Sequence, residues 1–127
     1  MTLGLTLYKL SIILIAPFLG AFFRRRARAG KEDPARIHER FGRNLAVRPN
    51  GGLIWFHAAS VGESNLQLEL ARRLIRKGDG AATFLFTCQT NTAAALIQDT
   101  LTNDPAFSDR SDLQQMAPVD TQGAVAR

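Results

Sequence analysis

Within one stretch of seven residues the chain offers an imidazole, a hydroxyl and a carboxylate, at His57, Ser60 and Glu63. They follow the continuous apolar run Leu53-Ile54-Trp55-Phe56, which reads as a strand covered on both faces in a parallel sheet. Small residues come next, where the chain must turn sharply, and Ser60-x-x-Glu63 fits the capping box that opens a helix. In open α/β sheets, ligands collect outside the carboxyl ends of the strands, where helix amino termini offer unpaired backbone amides. Glu63 is therefore expected at the mouth of such a crevice. Ser60 and the Gly62 backbone share that helix end and are expected to orient a hydroxyl or hold an anion of a substrate. The alternative is a purely local role, in which Glu63 reaches back to the Ser60 amide and seals the helix.

The elements that must position these groups follow in order. Ala35 to Phe41 reads as a short helix stopped by Gly42, and Arg48-Pro49-Asn50-Gly51-Gly52 as a turn into the first strand. After Glu63, Leu66, Leu70, Leu74 and Ile75 recur at helical spacing and predict a helix with one buried stripe, closed by Gly78. Thr83 to Cys88 predicts a second strand, and Thr90 or Thr92 caps a helix through Ala93 to Ile97. A polar loop from Asn103 to Asp112 leads to a short third strand within Leu113 to Val119. Strands separated by helical crossovers are parallel.

At 127 residues and 46% hydrophobic composition the chain supports one small α/β domain with a core. The net charge of +5 is concentrated: residues 24–43 hold eight Arg or Lys against three Asp or Glu, and the remainder holds eight of each. That basic segment lacks interleaved aromatics for base stacking, which argues against nucleic acid as the partner. It follows the apolar residues 3–23 directly, so anionic membrane lipids fit better. A helix over residues 3–23 would rise about 31 Å, roughly the hydrocarbon thickness of a bilayer. Lys9 and Pro17 interrupt it, which keeps an interfacial helix open as the alternative to a spanning one. Arg24-Arg25-Arg26-Ala27-Arg28 stands where a secretory cleavage site wants small neutral residues, and favours a retained anchor with the domain on the cytoplasmic side. The division expected is an anchor with its basic flank over residues 1–29 and an α/β domain over residues 30–127. The single cysteine, Cys88, reads as core packing; no metal site and no cofactor is expected.

In sequence the chain resembles the amino-terminal part of the 3-deoxy-D-manno-octulosonic acid (Kdo) transferases. The resemblance rests on Leu7-Tyr8 and Pro17, the arginine-rich stretch, Glu39-Arg40-Phe41-Gly42, Ile54 to Glu63, Thr87-x-x-Thr90-x-Thr92 and Pro118-x-Asp120, in that order. It implies a Rossmann-like first domain of a GT-B glycosyltransferase, with a lipid A precursor as acceptor, CMP-Kdo as donor and the cytoplasmic side of the inner membrane as location. The glutamate that matches Glu63 is the general base of that family. A helix amino terminus favours the ionised carboxylate and so weakens it as a base, whereas burial would strengthen it. His57 is the other titratable candidate, with hydrogen bonding at the strand end as its local role. Arg40 is expected either to meet an acceptor phosphate or to pair with Glu39 or Glu32; His38 and Glu39 are expected on a solvated helix face. Ala93 stands where the resemblance implies glycine. Ending at Arg127, the chain is expected to be a truncated acceptor-side portion, inactive alone and open at a sheet edge.

Overall fold

The computed structural model describes residues 3–78, 81–121 and 124. Along the chain come α1 (Leu3–Arg28), a 3₁₀ turn (Pro34–Arg36), α2 (Ile37–Arg40), β1 (Leu53–Ala58), α3 (Val61–Arg76), β2 (Thr83–Cys88), α4 (Asn91–Asn103) and β3 (Leu113–Met116). They sort into two compact units, residues 45–117 and residues 1–44 with 118–127.

The first of these units is an α/β layer. Its three strands are parallel in the order β1-β2-β3, with Phe56 opposite Phe86 and Leu85 opposite Leu113 in register. Phe56, Phe84, Phe86, Cys88 and Met116 point to one side, where they form a single core with Leu68 and Ala71 of α3 and Ala93, Ala94 and Ile97 of α4. Both crossover helices thus cover the same side. The phenylalanines interlock, Phe56 stacking on Phe86 at 4.9 Å and meeting Phe84 edge-on at 5.6 Å. Cys88 is fully buried, as its expected packing role requires.

The sheet and α3 depart from the sequence pattern at two points. Among the described residues β1 is covered on one side only: Phe56 is 7% exposed and Trp55, which alternates to the other side, 64%. The helix stripe also differs from the expected one. Leu66 and Leu70 are exposed, while Ser64, Leu68 and Ala71 are buried and Leu74 and Ile75 pack at the core edge. Small Ser64 and Ala71 flank Leu68 on the buried line, so one large side chain of α3 enters the phenylalanine layer there.

Polar anchors fix the connections. Asp112 accepts the Phe84 amide at 2.8 Å and pairs with Arg110 at 2.6 Å, which joins the entry of β3 to β2. Arg72 of α3 bonds Asp104 at 2.8 Å, just past the end of α4. Gly78 has φ +92°, the left-handed conformation that lets the chain leave α3.

In the other unit, α1 is long and apolar enough to cross a bilayer by length and composition. Its basic end carries an ion cluster. Glu32, 5% exposed, takes the Arg40 guanidinium at 3.1 Å and Arg26 at 3.3 Å. Phe23 packs edge-on against Phe41, and the Arg40 guanidinium lies 5.7 Å from the Phe23 ring centre. Gly42, at φ +66°, passes so close to the Ala124 carbonyl that a Cβ would collide with it.

Candidate functional site

The carboxyl end of β1 and the first turn of α3 bring the expected residues together. Ser60 is the N-cap of α3 in extended conformation, and its Oγ accepts the Glu63 amide at 3.2 Å. Glu63 returns the bond one residue earlier than a capping box does: its Oε2 accepts the Ala59 amide at 2.7 Å, not that of Ser60. The side chain is exposed, and among the described residues no bond reaches Oε1. One carboxylate oxygen is fixed by the main chain and the other faces solvent. Gly62 is exposed, and as a first-turn group its amide has no intrahelical partner. Ser64, buried beneath, donates its hydroxyl to the Ser60 carbonyl at 2.9 Å and stiffens the turn.

His57 is exposed, on the side of β1 opposite Phe56. Its Nδ1 is 3.0 Å from Thr87 Oγ1, the same hydroxyl that accepts the Trp55 indole N–H at 2.9 Å. The local role expected for His57 is therefore occupied by a neighbour across the strand pair. Gln67, not singled out from the sequence, donates its side-chain amide to the His57 carbonyl. It stands four residues after Glu63, one turn along the same helix, and that spacing was its only signal.

Arg40 lies in the other unit and is 5% exposed, with its Nε and Nη2 turned to Glu32. Of the two pairings expected, that with Glu32 is in place at 3.1 Å, and Glu39 pairs with Arg36 at 2.7 Å. Ala93 is fully buried in the core, and its amide caps α4 by donating to Thr90 Oγ1 at 3.2 Å. A cavity of about 290 Å³ beside α3 is lined by Leu66, Gln67, Glu69, Leu70 and Arg73, without Glu63. Among the described residues no cluster of three or more His, Cys, Asp or Glu is arranged to hold a metal.

Residues 35–127 match the family profile described as 3-deoxy-D-manno-octulosonic-acid transferase (kdotransferase). A probable mitochondrial 3-deoxy-D-manno-octulosonic acid transferase of Arabidopsis thaliana is 37% identical over 131 residues, which take in 100% of this chain and 27% of that protein. The 3-deoxy-D-manno-octulosonic acid transferase of Rickettsia bellii (strain RML369-C) is 38% identical over 94 residues, 74% of this chain and 22% of that protein. The chain thus spans about a quarter of the length of these relatives. No solved structure matches. The profile runs from α2 through the whole sheet and takes in the Ser60-to-Glu63 turn, so the chain belongs to the 3-deoxy-D-manno-octulosonic-acid transferase family.

Proposed function

We propose that the chain is the acceptor-side part of a membrane-associated Kdo transferase of lipopolysaccharide assembly. In this reading residues 1–29 anchor the protein, with anionic lipids at the basic flank, on the cytoplasmic side of the inner membrane. Residues 30–127 contribute to a Rossmann-like first domain of GT-B type. The acceptor hydroxyl of a lipid A precursor attacks the anomeric carbon of Kdo, the bond from that carbon to the CMP phosphate breaks, and CMP departs with the electron pair. Glu63 takes the proton that the hydroxyl loses.

The observation that carries this reading is the divided carboxylate of Glu63. Oε2 is held at 2.7 Å by the Ala59 amide, which leaves Oε1 as an oriented, exposed acceptor at a strand's carboxyl end. A positioned base is worth about a hundredfold to ten-thousandfold in rate. The Ser60 hydroxyl and the Gly62 amide flank it and orient the acceptor oxygen or a phosphate. Arg40 contacts an acceptor phosphate only by exchanging its Glu32 partner.

The same bond supports a second reading, a membrane-tethered binding module in which Glu63 only closes the helix. Glu63→Gln separates the two, because a glutamine oxygen still accepts the Ala59 amide but takes up no proton. The assay joins residues 1–127 to the carboxyl-terminal remainder of the Rickettsia relative and follows Kdo transfer from CMP-Kdo to a lipid A precursor. Transfer by the parent chimera, with a loss of about a hundredfold or more in Glu63→Gln at unchanged melting temperature, is expected. Undiminished transfer by the variant returns Glu63 to the cap.

A further inference from the structure

α1 has two unlike faces. Leu3, Leu7, Leu10, Leu14, Phe18 and Phe22 recur every three or four residues along one of them, and each is more than half exposed, as are Ile13 and Ile15 on its flanks. On the opposite line Ile12, Ala16 and Leu19 are half-buried and Phe23 is 7% exposed. What lies against this second line is irregular chain. Val119, Asp120 and Thr121 share a cavity of about 170 Å³ with Ile12, Ile15 and Leu19. Tyr8 donates its hydroxyl to the Asp120 carboxylate, and the Val119 amide bonds the Arg40 carbonyl at 2.8 Å. Lys9 belongs to this side too, lining a neighbouring cavity with Asp120 and Thr121.

A spanning helix would carry that segment with it. Val119 to Thr121 lie along α1 from Leu19 back to Tyr8, a stretch about 8 to 24 Å from Arg24 at 1.5 Å per residue, with the Asp120 carboxylate at the far end on Tyr8. Non-helical backbone and a carboxylate would then sit at hydrocarbon depth, where backbone groups without partners and charged side chains are strongly disfavoured. A helix lying flat meets no such conflict: the stripe enters the acyl boundary and the opposite face keeps its polar neighbours in water. The charges agree. Arg24, Arg25 and Arg28 follow the stripe, are exposed, and have no acidic partner among the described residues.

We infer that α1 lies in the plane of an anionic membrane surface, its Leu3-to-Phe22 stripe in the acyl boundary, Arg25 and Arg28 on lipid phosphates, and Val119 to Thr121 on the water side. This goes beyond the transfer reaction and needs none of its chemistry.

Sidedness tests it. In sealed inside-out vesicles from cells producing the whole chain, Lys9→Cys and Ala29→Cys, each in a Cys88→Ala background, are probed with an impermeant maleimide. Labelling of both without detergent is expected, because position 9 lies on the side of Asp120 and Thr121. Labelling of Lys9→Cys only after detergent, with Ala29→Cys open throughout, overturns the inference. A second measurement keeps the native Cys88. Leu14→Glu with Phe18→Glu should weaken partition of the whole chain into phosphatidylglycerol vesicles on the order of a hundredfold, since two large side chains lose their burial. Unchanged partition, or a lipid-free dimer that the same two changes dissolve, also overturns it; the latter assigns the stripe to a second copy of the chain.

Discussion

The Glu63 carboxylate and the Ala59 amide are joined at 2.7 Å, and this bond ties the first turn of α3 back to the end of β1 across a single N-cap residue. A negative charge in a helix's first turn also suits the macrodipole. Glu63→Ala should therefore lower the stability of the whole chain by about 1 kcal/mol, in the range of a lost cap, while Glu63→Gln should change it by less than about half that. Urea unfolding at neutral pH reads both. Equal losses for the two variants would mean that charge, and not the hydrogen bond, holds the turn.

α3 gives a test of which line is buried. Leu68 is 1% exposed and Leu66 74%. Leu68→Ala should cost about 2–5 kcal/mol through lost burial and the cavity left behind, and Leu66→Ala about 0.5 kcal/mol or less. Comparable losses, seen as comparable shifts of the urea midpoint, would put the leucine line predicted from spacing back against the sheet.

That contrast shows where the sequence was readable. Both longer strands, the capping serine and threonine, and the parallel order were legible, because strand runs, caps and crossovers are local signals. The face of α3 was not. Leu66, Leu70, Leu74 and Ile75 satisfy helical spacing as well as Ser64, Leu68, Ala71 and Ile75 do, and hydrophobicity ranks the first set higher. Close packing decided it: with Phe56, Phe84 and Phe86 filling the layer, small Ser64 and Ala71 fit where leucines would not. The one-sided cover of β1 was hidden for a related reason, since an apolar run records the chemistry of both faces but not what lies over each. At the candidate site the turn and its carboxylate were legible as a motif. The shift of its hydrogen bond from Ser60 to Ala59, and the Gln67 contact, depend on side-chain directions that spacing does not encode.

Asp104 links stability to pH. The Ala106 amide, first, and the Arg72 guanidinium, second, hold its carboxyl below the usual aspartate range. A carboxyl whose folded pKa is lowered contributes stability that is fully present above its unfolded pKa, about 3.9, and is lost as pH falls through the folded value. Asp104→Asn should thus be less stable than the parent at pH 7, and the gap in urea midpoints should narrow as pH drops below about 4. A gap that stays constant from pH 7 to pH 3 would rule out the Arg72 and Ala106 contacts as its source.

Glu32 is shared by Arg40 and Arg26 at 3.1 and 3.3 Å, with Glu32 and Arg40 both 5% exposed. Removing one partner of a buried pair strands the other, at a cost of about 3 kcal/mol or more. The two single changes are not equivalent here. Arg40→Met leaves Glu32 with Arg26, whereas Glu32→Gln leaves two guanidiniums facing a neutral amide, so the second should be the more damaging. Combining them should restore part of the loss, because the remaining Arg26 is 36% exposed at its side chain and can turn to water. A double-mutant cycle on melting temperature checks the order, and additive losses would sink the shared-carboxylate account. The cycle also bears on the proposed acceptor contact. If Arg40 serves a substrate phosphate, Arg40→Met in the chimera should raise the KM for the lipid acceptor at a given stability; if it serves only Glu32, KM should stay while the melting temperature falls.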